Sequence, residues 1–237
     1  WADHAFVRIG GGPKRTTAGE DGELAEGNGF IAALDQSGGS TPKALAGYGI
    51  EASAYTGDEE MFALIHQMRS RIISSPSFAS GKVIGAILFE RTMDGTVDGK
   101  PTPAALIERG VVPFIKIDKG LEDEVDGVQL MKPMPDLDVL LARAKGLGVF
   151  GTKERSVISA ADATGIQAVV DQQFAIGAQV AAKGLMPILE PEVTISIADK
   201  PEAEAIRERD LFLNRLGGAD RGGALVLDHV ARHQVAA

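Results

Sequence analysis

Three carboxylates and two lysines of this chain stand where long apolar runs stop. Asp35 follows Phe30-Ile31-Ala32-Ala33-Leu34, Glu90 follows the run at 83–89, and Lys116 lies near the end of 111–117. Lys153 follows 148–152, and Glu190 follows 185–189. Lysines and carboxylates together suit amine catalysis on a carbonyl. A lysine attacks only when neutral, and desolvation or a second nearby cation lowers its pKa. A carboxylate then moves protons as the carbinolamine dehydrates and a carbon–carbon bond breaks. Arg155, two residues after Lys153, adds a fork suited to a phosphate. Spacing alone leaves a Schiff-base lysine and a phosphate-binding lysine as alternatives. Charges also end strands simply because strands reach solvent, but five in succession with both signs favour a site.

The elements that carry these residues read as alternating strands and helices. The apolar runs are continuous, as expected of strands covered on both faces. After the first strand, Ser37-Gly38-Gly39-Ser40 makes a turn, Thr41 suits an N-cap and Pro42 a first helical turn, giving a short helix at 41–46. Asp58 suits the cap of a longer helix whose apolar side includes Met61, Phe62, Leu64, Ile65, Met68, Ile72 and Ile73. Further helices are expected at 102–109, 136–144 and 164–183. Strict alternation implies parallel βαβ units. In a parallel barrel the strand ends converge on one mouth, where barrel enzymes place their chemistry. An open doubly wound sheet often carries a Gly-rich dinucleotide turn, and no convincing GxGxxG occurs, so the expected fold is a TIM (β/α)8-type barrel.

Composition narrows the partners. The net charge of −9 and a pI near 5.0 argue against nucleic-acid binding. With no cysteine, disulfides and thiolate metal sites are excluded. The histidines are His4, His66, His229 and His233. The last two have i,i+4 spacing, but no glutamate follows His229, and solvated tail residues are the reading. His66, between Ile65 and Met68, reads as a helix-packing residue. Met131, Met134 and Met186 read as core filler. No run approaches the roughly 18 apolar residues of a membrane span, and the first residues lack a signal peptide's apolar core, so cytoplasmic placement is expected. Residues 1–28 read as a loosely structured extension ahead of one domain at 29–237.

Several motifs in order resemble class I fructose-bisphosphate aldolase of the bacterial type. They are residues 29–43, Gly85-Ala86-Ile87-Leu88-Phe89-Glu90, Pro113-Phe114-Ile115-Lys116-Ile117-Asp118-Lys119-Gly120, Gly151-Thr152-Lys153-Glu154-Arg155-Ser156 and Pro187-Ile188-Leu189-Glu190-Pro191-Glu192-Val193. The resemblance runs from about Glu23 to Lys200 and leaves 201–237 as an atypical tail. It implies a TIM barrel, no metal or other cofactor, a phosphorylated sugar as partner, and reversible cleavage of fructose 1,6-bisphosphate to dihydroxyacetone phosphate and glyceraldehyde 3-phosphate. It leaves a homo-oligomer open.

By the same resemblance, Asp35 handles protons around the carbinolamine and carbon–carbon cleavage. Lys116 lies near substrate, and Lys153 sits beside the Schiff base and tunes its charge. Arg155 binds a substrate phosphate, and Glu190 is the general acid/base, with Glu192 in support. Ser37 could touch substrate, although turn formation is the simpler role.

The family's Schiff-base lysine lies on strand six, in a stretch similar to Val-Met-Leu-Lys-Leu. This chain has Ala224-Leu225-Val226-Leu227-Asp228-His229 at that distance, and no lysine follows Lys200. Five or six βα units are expected where a closed barrel has eight, so the barrel is expected to be incomplete. Two readings of function follow: a Schiff-base aldolase, or an inactive aldolase fragment that at most binds phosphate or a partner.

Overall fold

The computed structural model describes residues 29–79, 81–217 and 225–226. The expected extension at 1–28, the glycine-rich stretch at 218–223 and the tail histidines His229 and His233 lie outside the described residues. The described chain divides into two units. One holds residues 29–116 and 143–150, and the other holds 117–142, 151–217 and 225–226.

In the first unit β1 (Phe30–Leu34) leads through Asp35 and a turn into α1 (Ser40–Gly47), which is followed by α2 (Gly57–Ser74) and β2 (Val83–Leu88). β1 and β2 pair in parallel, with Leu34 opposite Leu88. All six residues of β2 are buried, as the apolar run predicts. β1 differs: Ile31 and Leu34 are buried, but Ala33 is exposed. The exposed Ala33 shows that an uninterrupted apolar run does not mean two covered faces.

A short α3 (Glu90–Met93), a hairpin of β3 (Thr96–Val97) with β4 (Lys100–Pro101), and α4 (Thr102–Ile107) lead to β5 (Val112–Lys116). β5 pairs in parallel with β2. Leu45 of α1 packs with Met61, Ile65 and Met68 of α2, the i, i+4, i+7 stripe expected from the sequence.

Two boundaries here differ from the sequence reading. α1 begins at Ser40, because Gly38 turns the chain earlier with φ +54, a conformation that favours glycine. Thr41 therefore lies inside the helix, and its hydroxyl donates to the Gln36 carbonyl at 3.4 Å. α2 starts after Thr56, whose backbone N–H donates to Glu60 Oε2 at 2.6 Å, so Asp58 sits in the first turn and is not the cap.

In the second unit a short β6 (Val128–Gln129) precedes α5 (Leu137–Gly146), whose last residues belong to the first unit. β7 (Gly151–Ile158), α6 (Ala163–Ala182), β8 (Met186–Val193), α7 (Lys200–Gly217) and β9 (Leu225–Val226) follow. β8 pairs in parallel with β7 and with β9, and β6 pairs antiparallel with β7. Val128, Ile158, Ile166, Val169, Val193 and Ala203 form one buried cluster, which packs α6 and α7 against the strands.

α6 starts at Asp162, whose carboxylate accepts from the backbone N–H groups of Thr164 and Gly165, both at 2.9 Å. Gly165 is required for close approach, since a Cβ there would lie 2.2 Å from the Asp126 carbonyl oxygen. Asp162→Ala is expected to cost about 1 kcal/mol, read as a lower urea midpoint at unchanged m-value, because two N–H groups at the helix start lose their acceptor.

Candidate active site

The charged residues of the second unit are not strand ends. Lys153 is the third residue of β7, and Glu190 the fifth of β8. A run such as Lys153-Glu154-Arg155 reads locally as solvated. Here its side chains lie buried or half-buried within an eight-residue strand.

Parallel pairing sets Lys153 opposite Ile188 and Arg155 opposite Glu190. Alternation along the strands therefore puts Lys153, Arg155, Glu190 and Glu192 on one face, away from α6. On that face Lys153 Nζ lies 2.6 Å from Glu190 Oε2, with side chains 9% and 6% exposed. Next to it, Arg155 Nη1 donates to Glu192 Oε2 at 2.8 Å, in a more solvated setting. A lysine–carboxylate contact this deep in protein is held by geometry. Removing either partner would leave a charge that burial penalises.

The opposite face of β7 carries Thr152, Glu154 and Ser156, all fully buried. Glu154 Oε2 accepts from the Thr152 hydroxyl at 3.2 Å. Burial pushes the Glu154 carboxyl well above the usual glutamate value of 4.5. The Thr152 hydrogen bond and Lys153 oppose that rise, and Asp118 and Glu190 add to it.

Behind this face, Gln173 of α6 accepts from the Glu190 backbone N–H and donates to Ser156 Oγ, each at 3.1 Å. Gln173 was not anticipated from the sequence. A polar residue inside an apolar helical stripe gives no local sign of its partner.

In the first unit Asp35 is buried immediately after β1, and Lys116 ends β5 half-buried. The turn after Asp35 is tightly held. Ser40 Oγ accepts from the Ser37 backbone N–H at 3.2 Å and donates to the Ser37 carbonyl at 3.0 Å. The backbone of Ser37 thus closes this turn. Gln36 Nε2 reaches back to the Ala33 carbonyl at 3.1 Å.

Arg69 of α2, fully buried, donates from Nη2 to the Gln36 carbonyl at 2.6 Å and from Nη1 to Thr92 Oγ1 at 2.7 Å. Burial pulls its guanidinium down to about 10, while Asp35 acts in the opposite direction. Arg69 was also missed from the sequence, since it sits among Ile65, Met68 and Ile73 in a stripe that reads as apolar.

Glu90 opens α3 and pairs with Arg143 Nη2, while Arg143 Nε approaches Asp94 at 3.3 Å. His66 packs its ring against Gly95 and places Nε2 3.0 Å from the Thr96 carbonyl, as a packing residue would. Among the described residues no His, Cys, Asp and Glu cluster could hold a metal ion, and no helix is long and apolar enough to cross a membrane.

Among the described residues six strands run parallel to a neighbour and are joined through helices, the strand–helix repeat of an α/β-barrel protein, and β7 and β8 carry a buried lysine–carboxylate contact. Residues 22–207 match the family model described as fructose-bisphosphate aldolase class-I. Over 191 residues the chain is 57% identical to a protein of Porphyromonas gingivalis named fructose-bisphosphate aldolase class 1, covering 80% of this chain and 65% of the relative. A Synechocystis protein of the same name is 56% identical over 191 residues, covering 79% and 64%. The chain belongs to the class I fructose-bisphosphate aldolase family. It spans just under two thirds of the length of these relatives.

A solved fructose-bisphosphate aldolase of Plasmodium falciparum, in complex with TRAP and a small-molecule inhibitor, shares the fold with a TM-score of 0.64 at 20% identity. That likeness covers 81% of this chain and 58% of the other. The fold is thus of the (β/α)8-barrel type and incomplete, with six parallel strands among the described residues where a closed barrel has eight. The family match continues to residue 207, into α7, beyond the limit near Lys200 expected from motifs alone.

Proposed function

We propose that this chain performs reversible Schiff-base cleavage of fructose 1,6-bisphosphate to dihydroxyacetone phosphate and glyceraldehyde 3-phosphate. The observation that carries the reading is the buried Lys153–Glu190 contact at 2.6 Å. A carboxylate so placed takes the proton that keeps the lysine unreactive. The neutral amine then adds to the ketone carbon, forming the C–N bond, and one of its own N–H protons passes to the carbonyl oxygen to give the carbinolamine. Glu190 returns its proton to the departing hydroxyl, which leaves as water.

In the cleavage direction Asp35 accepts the hydroxyl proton as the carbon–carbon bond breaks and its electron pair moves toward the iminium. Arg155 and Lys116 are assigned to the anionic substrate, with Glu192 orienting Arg155 through their 2.8 Å pair. Ser37 is assigned a supporting contact in the turn after Asp35. The partner is a phosphorylated sugar, and the working compartment is the cytoplasm.

The amine is assigned to Lys153. The assignment rests on its contact with Glu190, since Lys153 is the lysine that the structure seats beside that buried carboxylate. Borohydride trapping with dihydroxyacetone phosphate, read by intact mass and peptide mapping, tests this. One adduct per chain on Lys153, lost in Lys153→Met, is the expected result. No adduct from a sample shown folded by circular dichroism overturns the activity and leaves a chain that at most binds phosphate or a partner.

A further inference from the structure

Gln173 stands out among the core-facing residues of α6, where Ile166, Val169, Val170, Ile176 and Val180 are also buried. An apolar residue there would pack as well. It would, however, leave the Glu190 N–H and the Ser156 hydroxyl without the partners they now have in Gln173. Burying an amide is costly unless both of its ends are bonded, and both are. The neighbouring Gln172 uses its amide differently, accepting from Met131 N–H at 2.9 Å and donating to the Met131 carbonyl at 3.0 Å. α6 thus holds a loop with one amide and the two strands with the next.

A backbone N–H lies in the plane of its peptide, so holding it restricts how that plane tilts and, with it, the direction in which the adjoining Cα–Cβ bond leaves the strand. A helix that grips the Glu190 N–H from behind therefore sets where the carboxylate emerges on the Lys153 face. We propose that Gln173 is a positioning residue for Glu190, a fixed arm from α6 that holds its carboxylate in contact with Lys153. The inference rests on the role given to Glu190 above, but its physical core is the Lys153–Glu190 contact, which can be observed without turnover.

The test compares Gln173→Met, which keeps bulk and loses both hydrogen bonds, with Ser156→Ala, which keeps the Glu190 contact. In Gln173→Met the Glu190 amide proton is expected to exchange roughly tenfold faster by NMR, and the Lys153 ammonium protons to exchange faster with it. Ser156→Ala is expected to leave both unchanged.

If the parent forms the trapped adduct, Gln173→Met should slow its formation at saturating dihydroxyacetone phosphate by roughly tenfold, with the half-saturating concentration little changed. A folded Gln173→Met protein with parental Lys153 ammonium exchange overturns the proposal. If that variant does not fold, Gln173→Glu decides instead. It keeps an acceptor for the Glu190 N–H and should retain slow ammonium exchange, and fast exchange in it overturns the proposal. A parent that forms no adduct defeats the aldolase reading alone, because the exchange measurements still judge the arm.

Discussion

Arg69→Met is expected to destabilise the protein by about 3 kcal/mol, a large fraction of the 5–15 kcal/mol available to an ordinary domain. Arg69 is fully buried and bonds the Gln36 carbonyl at 2.6 Å and Thr92 Oγ1 at 2.7 Å. Methionine fills similar space but donates nothing. The Gln36 carbonyl would be left with the longer contact from Thr41 Oγ1 at 3.4 Å. The charge that faces Asp35 would also be gone, which leaves a buried carboxylate with less compensation. Arg69→Lys keeps that charge, yet one ammonium cannot span both acceptors, so it is expected to recover less than half of the loss. Urea unfolding of the three proteins measures this, and a methionine variant with the parental midpoint would refute it. The clamped carbonyl belongs to the residue that follows Asp35, so Arg69 also holds the backbone that leaves that carboxylate.

The second large effect depends on pH. Glu154 is fully buried, and its carboxyl is held well above the ordinary 4.5, first by burial and then by Asp118 and Glu190. In the folded chain it keeps its proton to higher pH than it does when unfolded. Unfolding therefore releases a proton in that window, and stability falls as pH rises, by up to about 1.4 kcal/mol per pH unit. The contribution is complete below about 4.5 and is lost as pH climbs through the folded value.

Glu154→Gln is neutral at every pH and keeps an acceptor for the Thr152 hydroxyl. It is expected to match the parent in acid and to exceed it increasingly toward neutrality. Melting temperatures of both proteins across this range check the expectation. Parallel curves would show that Glu154 ionises in the folded state as readily as in the unfolded one.

Both residues show what a linear reading sees and what it does not. The order of strands and helices was legible, because apolar runs, glycine turns and helical stripes are local signals. β2 came out as a buried strand, and α6 was placed within a residue at each end. The order of motifs was also sufficient to place the chain in its family. α7 was not legible. Its buried side carries Arg207 and Asp210 beside Ala203 and Leu211, so its stripe does not read as apolar.

The residues that could do chemistry were named by type, but their setting was not. The sequence reading sets Lys153 and Glu190 at strand ends around a barrel mouth and not buried within strands, since nothing local offsets the cost of burying a charge. That offset comes from a partner 37 residues away, and parallel register alone brings it to 2.6 Å.

What the sequence by itself determined was the succession of βα units, the family and the kinds of side chain available. The tertiary structure decided which charges are buried, which carboxylate meets which cation, and which polar helix residues, Arg69 and Gln173, hold them. The reason is physical. Secondary structure follows from short-range periodicity and backbone conformation, whereas the energy of a buried polar group depends on partners that only strand register and helix packing deliver.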